Sequence, residues 1–512
     1  MTNRRTNFIN MVKHLSDVPQ NIIQKEIDLS KTSPYRQNYH IESESGSLGD
    51  PNGFSQFNGQ YHLFYQWSPL GFSQDPHYTQ HGWKHLISKN LVDWQDWGAG
   101  IESDTELDKY GTYSGSALPI NNKLFLMYTG NMWTNTESRD DWQRIPYQVG
   151  AMMDKNNHVE KWQNPLITGP LENYTGHFRD PKIFKEGNNY YAVLGIQREN
   201  LTGSVLLVKS MNLYNWQIIG EIKTGYDNFG YMWECPDYYE IADYGILQFC
   251  PQGLETKENK FKNIYQNGYL IGKKLDLDTG KFDCSEFREL DQGFDFYAMQ
   301  TMKDNHDRRI LMAWMGLPET KYPTENYHYT GCMIFPRELQ VKDGFIVQKP
   351  VDEIKDLYAN HYFVQKEVDG NIQLLAEESN ARDIELELDC SQANSLTIDL
   401  FANEDNTDHL RLIFNHKKQE FIVNRGNCGI PVSEDYGVER SCHLNLDQKV
   451  KVRILQDVSS AEIFLNNGRN VFSMRVFTAK DNDKIFVTSH NGTSQLKADI
   501  HQLRSSKVIV SR

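Results

Sequence analysis

A loose internal repeat limits what this chain can fold into more than any other feature of its sequence. Five short apolar and aromatic segments recur, with starts 63, 66, 56 and 64 residues apart: Tyr61–Tyr65, Leu124–Tyr128, Tyr190–Leu194, Ile246–Cys250 and Ile310–Trp314. A second element, N-L-x-[DN]-W, recurs at Asn90–Trp94 and Asn212–Trp216. Because two different elements recur in register and there is almost no helical periodicity, the sequence predicts a five-bladed β-propeller with about four strands per blade, rather than hairpins that happen to be evenly spaced.

The repeat ends near Pro350, and the pattern beyond it is different. Alternating apolar and polar strands such as Ile384–Leu388 and Ala461–Leu465, separated by turn clusters, predict a β-sandwich. This part has no concentrated acidic or metal-binding motif, so we expect a structural or oligomerising role for it. The sequence therefore predicts an all-β chain: an N-terminal extension over residues 1–32, a catalytic propeller over 33–350, a linker over 351–360 and a sandwich over 361–512.

Length and charge restrict the class of protein further. A chain of 512 residues is too long for one ordinary domain. Its 53 basic and 68 acidic side chains leave a net charge of −15, which argues against nonspecific binding to nucleic acid or to an anionic membrane. No run of about 18 apolar residues is present, and the N-terminus lacks the apolar core of a signal peptide. Seven cysteines without a C-x-x-C pair fit reduced thiols. We expect a cytoplasmic monomer or homodimer.

Three carboxylates occupy near-equivalent places in the repeat. Asp50 lies 11 residues before the first repeated segment, Asp180 lies 10 before the third, and Glu234 lies 12 before the fourth. Ser114 and Tyr297 take comparable places in blades two and five. Asp-Pro or Glu-Cys-Pro alone is ordinary turn punctuation. Three acids in register around a closed channel instead favour a cation site or acid-base chemistry.

Paired carboxylates suit the hydrolysis of glycosides. One carboxylate attacks the anomeric carbon or activates water, and a protonated carboxyl group gives a proton to the leaving oxygen. We expect like-charge proximity and partial burial to keep Glu234 protonated while Asp50 stays ionised. A third acid can hold sugar hydroxyls, with Arg179, Gln66 and Trp314 completing the cradle.

The ordered motifs also resemble those of a known family. They are D-P-N-G at Asp50, Y-S-G-S at Tyr113, R-D-P at Arg179, W-E-C-P-D at Trp233 and D-F-Y-A at Asp295. In this order they resemble glycoside hydrolase family 32, which includes invertases, levanases and sucrose-6-phosphate hydrolases. The resemblance covers essentially the whole chain and implies a five-bladed propeller followed by a β-sandwich, as the repeat predicts.

The resemblance also implies an activity and a set of roles. It implies a retaining β-fructofuranosidase that acts through a covalent fructosyl-aspartate intermediate, with no cofactor and no metal. Asp50 would be the nucleophile, Glu234 the acid/base and Asp180 the transition-state stabiliser. The expected sugar contacts are Gln66, Tyr113, Ser114, Arg179, Tyr297 and Trp314. Gly49 is a departure, because family members usually have Asn before the nucleophile, and this puts fine substrate specificity in question.

Several alternatives stay open. The stretch Gln197–Gly203 resembles the cytoplasmic branch of the family that acts on sucrose 6-phosphate, and Arg198 or the region of Lys321 could supply cations for a phosphate. The same site could hydrolyse sucrose or fructans, or transfer fructosyl groups to another sugar. A catalytically silent carbohydrate-binding propeller is the alternative from another class, and the intact set of three acids argues against it.

Two basic motifs have simpler interpretations. His77, His81 and His85 are four residues apart and would form a metal-binding face on a helix, but Gly82-Trp83 and the surrounding strand pattern argue against a helix. The run His306, Arg308 and Arg309 precedes a blade strand and is interpreted as a solvated turn rather than a phosphate site.

Overall fold

The computed structural model describes residues 14–73, 78, 80–135, 143–375 and 379–510. A helix, α1 (Gln20–Lys31), precedes the first blade. Blade one consists of β1 (Gly46–Phe57), β2 (Gln60–Ser68), β3 (Gly82–Ser88) and β4 (Trp94–Ile101). Blade two consists of β5 (Thr112–Ile120), β6 (Lys123–Asn135), β7 (Gln143–Met153), β8 (Val159–Lys161) and β9 (Ile167–Thr168). Blade three consists of β10 (Tyr174–Glu186), β11 (Asn189–Arg198), β12 (Gly203–Ser210) and β13 (Trp216–Glu221).

Two further blades complete the propeller. Blade four consists of β14 (Met232–Ile241), β15 (Tyr244–Gln252) and β16 (Gly268–Gly272). Blade five consists of β17 (Tyr297–Lys303), β18 (Arg309–Trp314), β20 (Arg337–Lys342) and β21 (Phe345–Pro350). The short β19 (Tyr329–Thr330), between β18 and β20 in sequence, instead pairs parallel with β1 of blade one. The strands within each blade pair antiparallel, and the first strands β1, β5, β10, β14 and β17 contact one another in cyclic order. The prediction of a five-bladed propeller is confirmed.

The segments that repeat in the sequence are the second strands of the blades. Leu124–Tyr128 in β6, for example, has no exposed surface. A second strand lies between two strands of its own blade and packs against neighbouring blades on both faces, so it is a continuous apolar run rather than an alternating one.

The N-L-x-[DN]-W element is the turn between the third and fourth strands. In blade one, Leu91 adopts a left-handed φ of 63°, and the Trp94 indole N–H donates to the Leu91 carbonyl at 3.1 Å. Blade three repeats both features: Leu213 has a φ of 70°, and the Trp216 indole donates to its carbonyl at 2.7 Å. The tryptophan recurs because its ring N–H closes this turn.

The C-terminal part is a β-sandwich, as predicted. Its strands are β22 (Tyr358–Leu375), β23 (Arg382–Asp389), β24 (Ser395–Ala402), β25 (Leu410–Asn415), β26 (Glu420–Asn424), β27 (Glu439–His443), β28 (Val450–Asp457), β29 (Ser460–Leu465), β30 (Asn470–Arg475) and β31 (Lys484–Leu503). The first half of β31 pairs with β24 and its second half with β23. The long strand therefore belongs to both layers, β24–β27 and β23 with β28–β30.

Within the described residues, six short 3-10 helices and one further strand complete the structure. These 3-10 helices are Leu15–Asp17, Pro323–Tyr327, Asp352–Leu357, His416–Lys418, Glu434–Tyr436 and Asn466–Gly468, and the third of them connects β21 to β22. The last strand, β32 (Val508–Val510), returns to the propeller and pairs parallel with β4. Within the described ranges, no helix is long and apolar enough to cross a membrane.

Buried charges join the propeller to the sandwich. His40 contacts the carboxylates of Asp457 and Glu462, each at 2.8 Å, and Glu462 also pairs with Arg337 at 2.5 Å. Arg337 pairs in turn with Asp291 at 3.0 Å. Burial alone would lower the pKa of His40, but the hydrogen bonds to the two carboxylates outweigh it and raise this pKa to about 9. The network therefore contains an imidazolium between two carboxylates.

Candidate active site

The first strand of every blade is irregular at a corresponding place. In each blade, the pairing of the first strand with the second strand shifts register once at this place. The shifts lie at Leu48/Pro51, Thr112/Gly115, Arg179/Lys182, Glu234/Asp237 and Tyr297/Gln300. β-Bulges of this kind re-aim side chains and are frequent beside active sites. Three of them contain a non-glycine residue with left-handed backbone, namely Asp180, Cys235 and Ala298. Each of the five bulges contains or borders one of the residues that the repeat singles out.

The bulges bring the three predicted acids together. The backbone N–H of Cys235, next to Glu234 in the chain, donates to Asp180 Oδ2 at 3.0 Å. The thiol of Cys235 lies 3.7 Å from Asp50 Oδ2 and 3.8 Å from Asp180 Oδ2. All three acids line one open cavity of about 470 Å³. Acids from blades one, three and four thus meet at one end of the propeller channel.

Glu234 is held by three hydrogen-bond donors. Arg179 Nη2 donates to its Oε1 at 2.6 Å, while Gln252 Nε2 and the Tyr297 hydroxyl donate to its Oε2 at 2.7 and 2.5 Å. The expectation for Glu234 from the sequence rested on like-charge proximity and partial burial, and it did not include this guanidinium. The predicted sugar contacts of Arg179 and Tyr297 stay predictions, and the structure shows both side chains donating to Glu234.

Burial dominates the ionisation of the other two acids. It raises the pKa of Asp50 to about 7, against a lowering hydrogen bond from Ser114 Oγ to Asp50 Oδ2 at 2.5 Å, so burial opposes the ionisation that we expect of Asp50 from the sequence. It also raises the pKa of Asp180 to about 6, against the attraction of Arg179. Two neighbouring carboxyl groups with raised pKa values in a cleft are typical of sites that perform proton transfer or nucleophilic chemistry.

Two predicted sugar contacts have unsatisfied polar atoms. Gln66 donates from Nε2 to Ser114 Oγ at 3.0 Å, but its Oε1 is buried without a partner among the described residues. Within the same ranges, the indole N–H of Trp314 is also buried and unpaired. Both side chains line the cavity, as does Tyr113. Buried polar atoms of this kind are costly, and sugar hydroxyls would satisfy them.

Gly49 lies in the cavity wall beside Asp50 and Gln66. A Cβ atom at position 49 would lie 3.4 Å from Gln66 Cβ, which is an ordinary contact, and the Gly49 backbone is not left-handed. A Cβ atom therefore fits at position 49, where the resemblance to family 32 implies Asn.

Sequence reasoning missed several residues of the cavity. Arg144, His177, His81, Glu319 and Tyr322 also line it. His177 could have been found, because it lies two residues before Arg179 on the same strand, where alternate side chains share a face. Arg144 comes from a different blade and carries no local signal that points to the site.

The basic motifs have mainly structural surroundings. Ser68 contacts His81 Nδ1 at 2.8 Å, and His85 stacks on Phe64, with ring centroids 4.0 Å apart, while His77 lies outside the described residues. On the sandwich surface, His361, Asp499 and His501 place possible ligand atoms within 4.8 Å of one another, but His361 and Asp499 already form a hydrogen bond.

The expected cations near the site have different surroundings. Arg198 pairs with Glu221, with Nη2 and Oε2 2.5 Å apart, whereas Lys321 is exposed. The interpretation of the run before β18 as a solvated turn is wrong for two of its residues. Arg308 pairs with Asp304 and Glu353, and Arg309 lies over the ring of Tyr239 at 4.9 Å.

Comparison with known proteins places this geometry in a family. The family model "Glycosyl hydrolases family 32 N-terminal domain" matches residues 40–350, and "Glycosyl hydrolases family 32 C terminal" matches residues 353–504. A sucrose-6-phosphate hydrolase of Staphylococcus xylosus is 35% identical over 493 residues, covering 96% of this chain and 97% of that protein. A sucrose-6-phosphate hydrolase of Bacillus subtilis is also 35% identical, over 94% of this chain and 97% of that protein.

Solved structures agree. The sucrose-6-phosphate hydrolase of Lactobacillus gasseri superposes with a TM-score of 0.89 at 36% identity, covering 99% of this chain and all of that one. A Bombyx mori family 32 β-fructofuranosidase mutant, solved in complex with sucrose, gives a TM-score of 0.79 at 29% identity over 95% of this chain and 98% of that one. The chain belongs to glycosyl hydrolase family 32.

Proposed function

We propose that this protein is a retaining β-fructofuranosidase that hydrolyses sucrose 6-phosphate and sucrose. The observation that carries the proposal is the convergence of Asp50, Asp180 and Glu234 in one cavity whose wall also presents unsatisfied polar atoms of Gln66 and Trp314. A non-catalytic lectin has no need of a buried nucleophile beside a proton donor.

The first half of the proposed reaction forms a covalent intermediate. Ionised Asp50 attacks the anomeric carbon of the fructosyl group, and the bond from that carbon to the leaving oxygen breaks. Glu234, in its protonated form, delivers its proton to that oxygen, so that the glucosyl part leaves as a neutral alcohol. Asp180 accepts hydrogen bonds from fructosyl hydroxyls as positive charge develops on the ring.

The second half releases fructose. Glu234, now a carboxylate, takes a proton from water, the water oxygen attacks the anomeric carbon, and the bond to Asp50 breaks. Arg179, bound to Glu234 at 2.6 Å, neutralises the carboxylate that this step requires. The propeller (proposed as residues 33–350) supplies every residue in these steps, and the sandwich supplies none.

The names of relatives support the choice of substrate. The Staphylococcus xylosus and Lactobacillus gasseri proteins are both called sucrose-6-phosphate hydrolases, and the Bombyx mori structure contains sucrose. Sugar uptake that phosphorylates its substrate delivers sucrose 6-phosphate inside the cell, so we also propose a cytoplasmic location. A monomeric or homodimeric state stays a prediction, which light scattering of the purified protein tests.

Product analysis tests the proposal. Purified protein is incubated separately with sucrose and sucrose 6-phosphate, and fructose, glucose and glucose 6-phosphate are measured. We expect equal amounts of fructose and the matching glucosyl product, and a loss of about four orders of magnitude or more in the Asp50→Asn variant. No release from either substrate would refute the proposal, and fructose below the glucosyl product would indicate transfer to another sugar.

The stereochemical outcome tests the covalent route. Retaining enzymes hold their two carboxyl groups about 5–5.5 Å apart, and inverting enzymes hold them roughly 6.5–9.5 Å apart. We expect an NMR spectrum recorded early in the reaction to show fructose with the anomeric configuration of the substrate. Fructose that first appears with the opposite configuration would contradict the role of Asp50 as nucleophile.

A further inference from the structure

A row of three basic side chains extends from Glu234 along the cavity wall. Arg179 Nη2 donates to Glu234 at 2.6 Å, and Arg179 Nη1 donates to His177 Nδ1 at 2.8 Å. On its other side, His177 Nδ1 accepts a hydrogen bond from Arg144 Nη2 at 2.9 Å. Glu234, His177 and Arg144 all line the cavity, so the row forms a continuous part of its surface.

The two arginines of this row differ in their charge partners. Arg179 is paired with Glu234 and lies 3.9 Å from Asp180. Arg144 is half-buried and forms no ion pair with any carboxylate of the described residues. Its Nε donates to the Gly176 carbonyl at 2.8 Å and its Nη2 to His177, whereas its Nη1 makes no hydrogen bond within the described ranges. Among the described residues, this half-buried guanidinium at the cavity wall therefore has no carboxylate partner.

His177 adds a second donor beside this guanidinium. A guanidinium can only donate hydrogen bonds, so His177 Nδ1 must accept both of them, and the ring proton is then on Nε2. Burial lowers the pKa of His177 to about 2, and the charges of Arg179 and Arg144 act in the same direction. The imidazole thus stays neutral at physiological pH, with a fixed N–H donor.

Residues of two neighbouring strands hold the side chain of Arg144 in place. A Cβ atom at position 176 would lie only 3.1 Å from Arg144 Cγ, so the glycine allows the arginine side chain to lie across the backbone of β10. The guanidinium also lies 5.5 Å from the ring centre of Trp133, its cross-strand partner on β6. These contacts fix the direction of Arg144 before any ligand binds.

We propose that Arg144 and His177 form the binding site for a phosphate group carried by the leaving part of the substrate. The position follows from the chemistry, because Glu234 protonates the leaving oxygen and the glucosyl group must therefore lie on its side of the cavity. The phosphate of sucrose 6-phosphate is on that glucosyl group. The row from Glu234 through Arg179 and His177 leads to Arg144, where a dianion would meet a guanidinium that has no carboxylate partner among the described residues.

Other cations near the cavity fit less well. The charge of Arg198 is balanced by Glu221, at 2.5 Å. Lys321 follows Thr320, on the side of the cavity that also contains Glu319, whose carboxylate would repel a phosphate. Neither Arg198 nor Lys321 is among the residues that line the cavity.

This site rests on the proposed function, and the substrate preference of the full-length protein tests it. The measurement is kcat/KM for sucrose 6-phosphate divided by kcat/KM for sucrose, in low-salt buffer. We expect this ratio to fall by about tenfold or more in Arg144→Gln, and to recover partly in Arg144→Lys, which keeps the charge but loses the planar fork. Lys321→Gln is the matched control, since it removes one positive charge near the same cavity, and it should leave the ratio unchanged.

Direct binding gives a readout that does not depend on turnover. Isothermal titration with glucose 6-phosphate, inorganic phosphate and glucose should show that Arg144→Gln weakens binding of glucose 6-phosphate by about tenfold or more and leaves glucose binding unaltered. Binding of inorganic phosphate alone, without a gain from the glucose ring, would overturn the assignment to the leaving group. Gly176→Ala displaces Arg144 without removing its charge and should lower the affinity for glucose 6-phosphate in the same direction.

The outcomes separate the two proposals. If the wild-type protein hydrolyses both sugars but Arg144→Gln, with an unchanged melting temperature, keeps the wild-type ratio, the phosphate site is wrong and the fructosidase stands. A fall in the ratio in Lys321→Gln alone would also overturn the site. If the wild-type protein hydrolyses neither sugar but still binds glucose 6-phosphate through Arg144, the proposed reaction fails and the phosphate site stands.

Discussion

Replacing Ser114 with alanine removes the 2.5 Å hydrogen bond that its hydroxyl donates to Asp50 Oδ2. This bond lowers the pKa of Asp50, which burial has raised to about 7. A hydrogen bond to a charged group contributes about 1.5–3 kcal/mol, and about 1.4 kcal/mol corresponds to one pH unit. We therefore expect Ser114→Ala to raise the pKa of Asp50 by roughly one to two pH units.

The sign of the pH effect follows from the proposed role of Asp50. The nucleophile must be ionised, so kcat/KM should rise with pH as Asp50 loses its proton. In Ser114→Ala this rising limb should move to higher pH, and activity near pH 6 should lie about a hundredfold or more below the plateau of the same variant, against about tenfold in the wild type.

The assay is the pH profile of kcat/KM for sucrose in both proteins. Ser116→Ala is the matched control, because Ser116 lies on the same strand, is buried, and donates to the Pro181 carbonyl at 2.7 Å rather than to an acid. A Ser114→Ala profile that is lowered at every pH, with its rising limb unmoved, would refute the reasoning.

Three further predictions address the proton donor, the open position beside the nucleophile and the domain interface. Glu234→Gln should retain a burst of product with an activated fructoside, and Asp50→Asn should show none; the reverse pattern in stopped-flow traces would exchange the two roles. Gly49→Asn should fold normally and lower KM for sucrose by a severalfold factor through a new amide contact, and steady-state kinetics showing a higher KM would contradict it. Because the folded-state pKa of His40 is raised to about 9, its stabilising charge is fully present below pH 6.5 and is lost as pH rises through 9. The free energy of unfolding, from urea titrations, should fall over that range in wild type and less in His40→Gln; parallel curves would exclude His40 as the cause.

The blades could be predicted because every blade buries its second strand in the same way. A second strand packed on both faces needs a continuous apolar run, and a turn closed by an indole needs its tryptophan, so both leave a repeating trace in the sequence. The acids could be aligned for the same reason, since Asp50, Asp180 and Glu234 hold near-equivalent places in repeated units.

Side-chain contacts between blades have no repeated sequence pattern from which they could be predicted. The pairing of Arg179 with Glu234 joins blades three and four, and the contact of Arg144 with His177 joins blades two and three. Each depends on side-chain directions that the bulges set, and no spacing within one strand encodes them.

The central claim is that Asp50 becomes covalently bound to fructose. Rapid acid quenching of Glu234→Gln during turnover of an activated fructoside, followed by proteolysis and mass spectrometry, tests it most directly. We expect that the peptide containing Asp50 gains the mass of one fructosyl group and that no adduct forms in Asp50→Asn. Turnover without any adduct on that peptide, or an adduct on Asp180 instead, would contradict it.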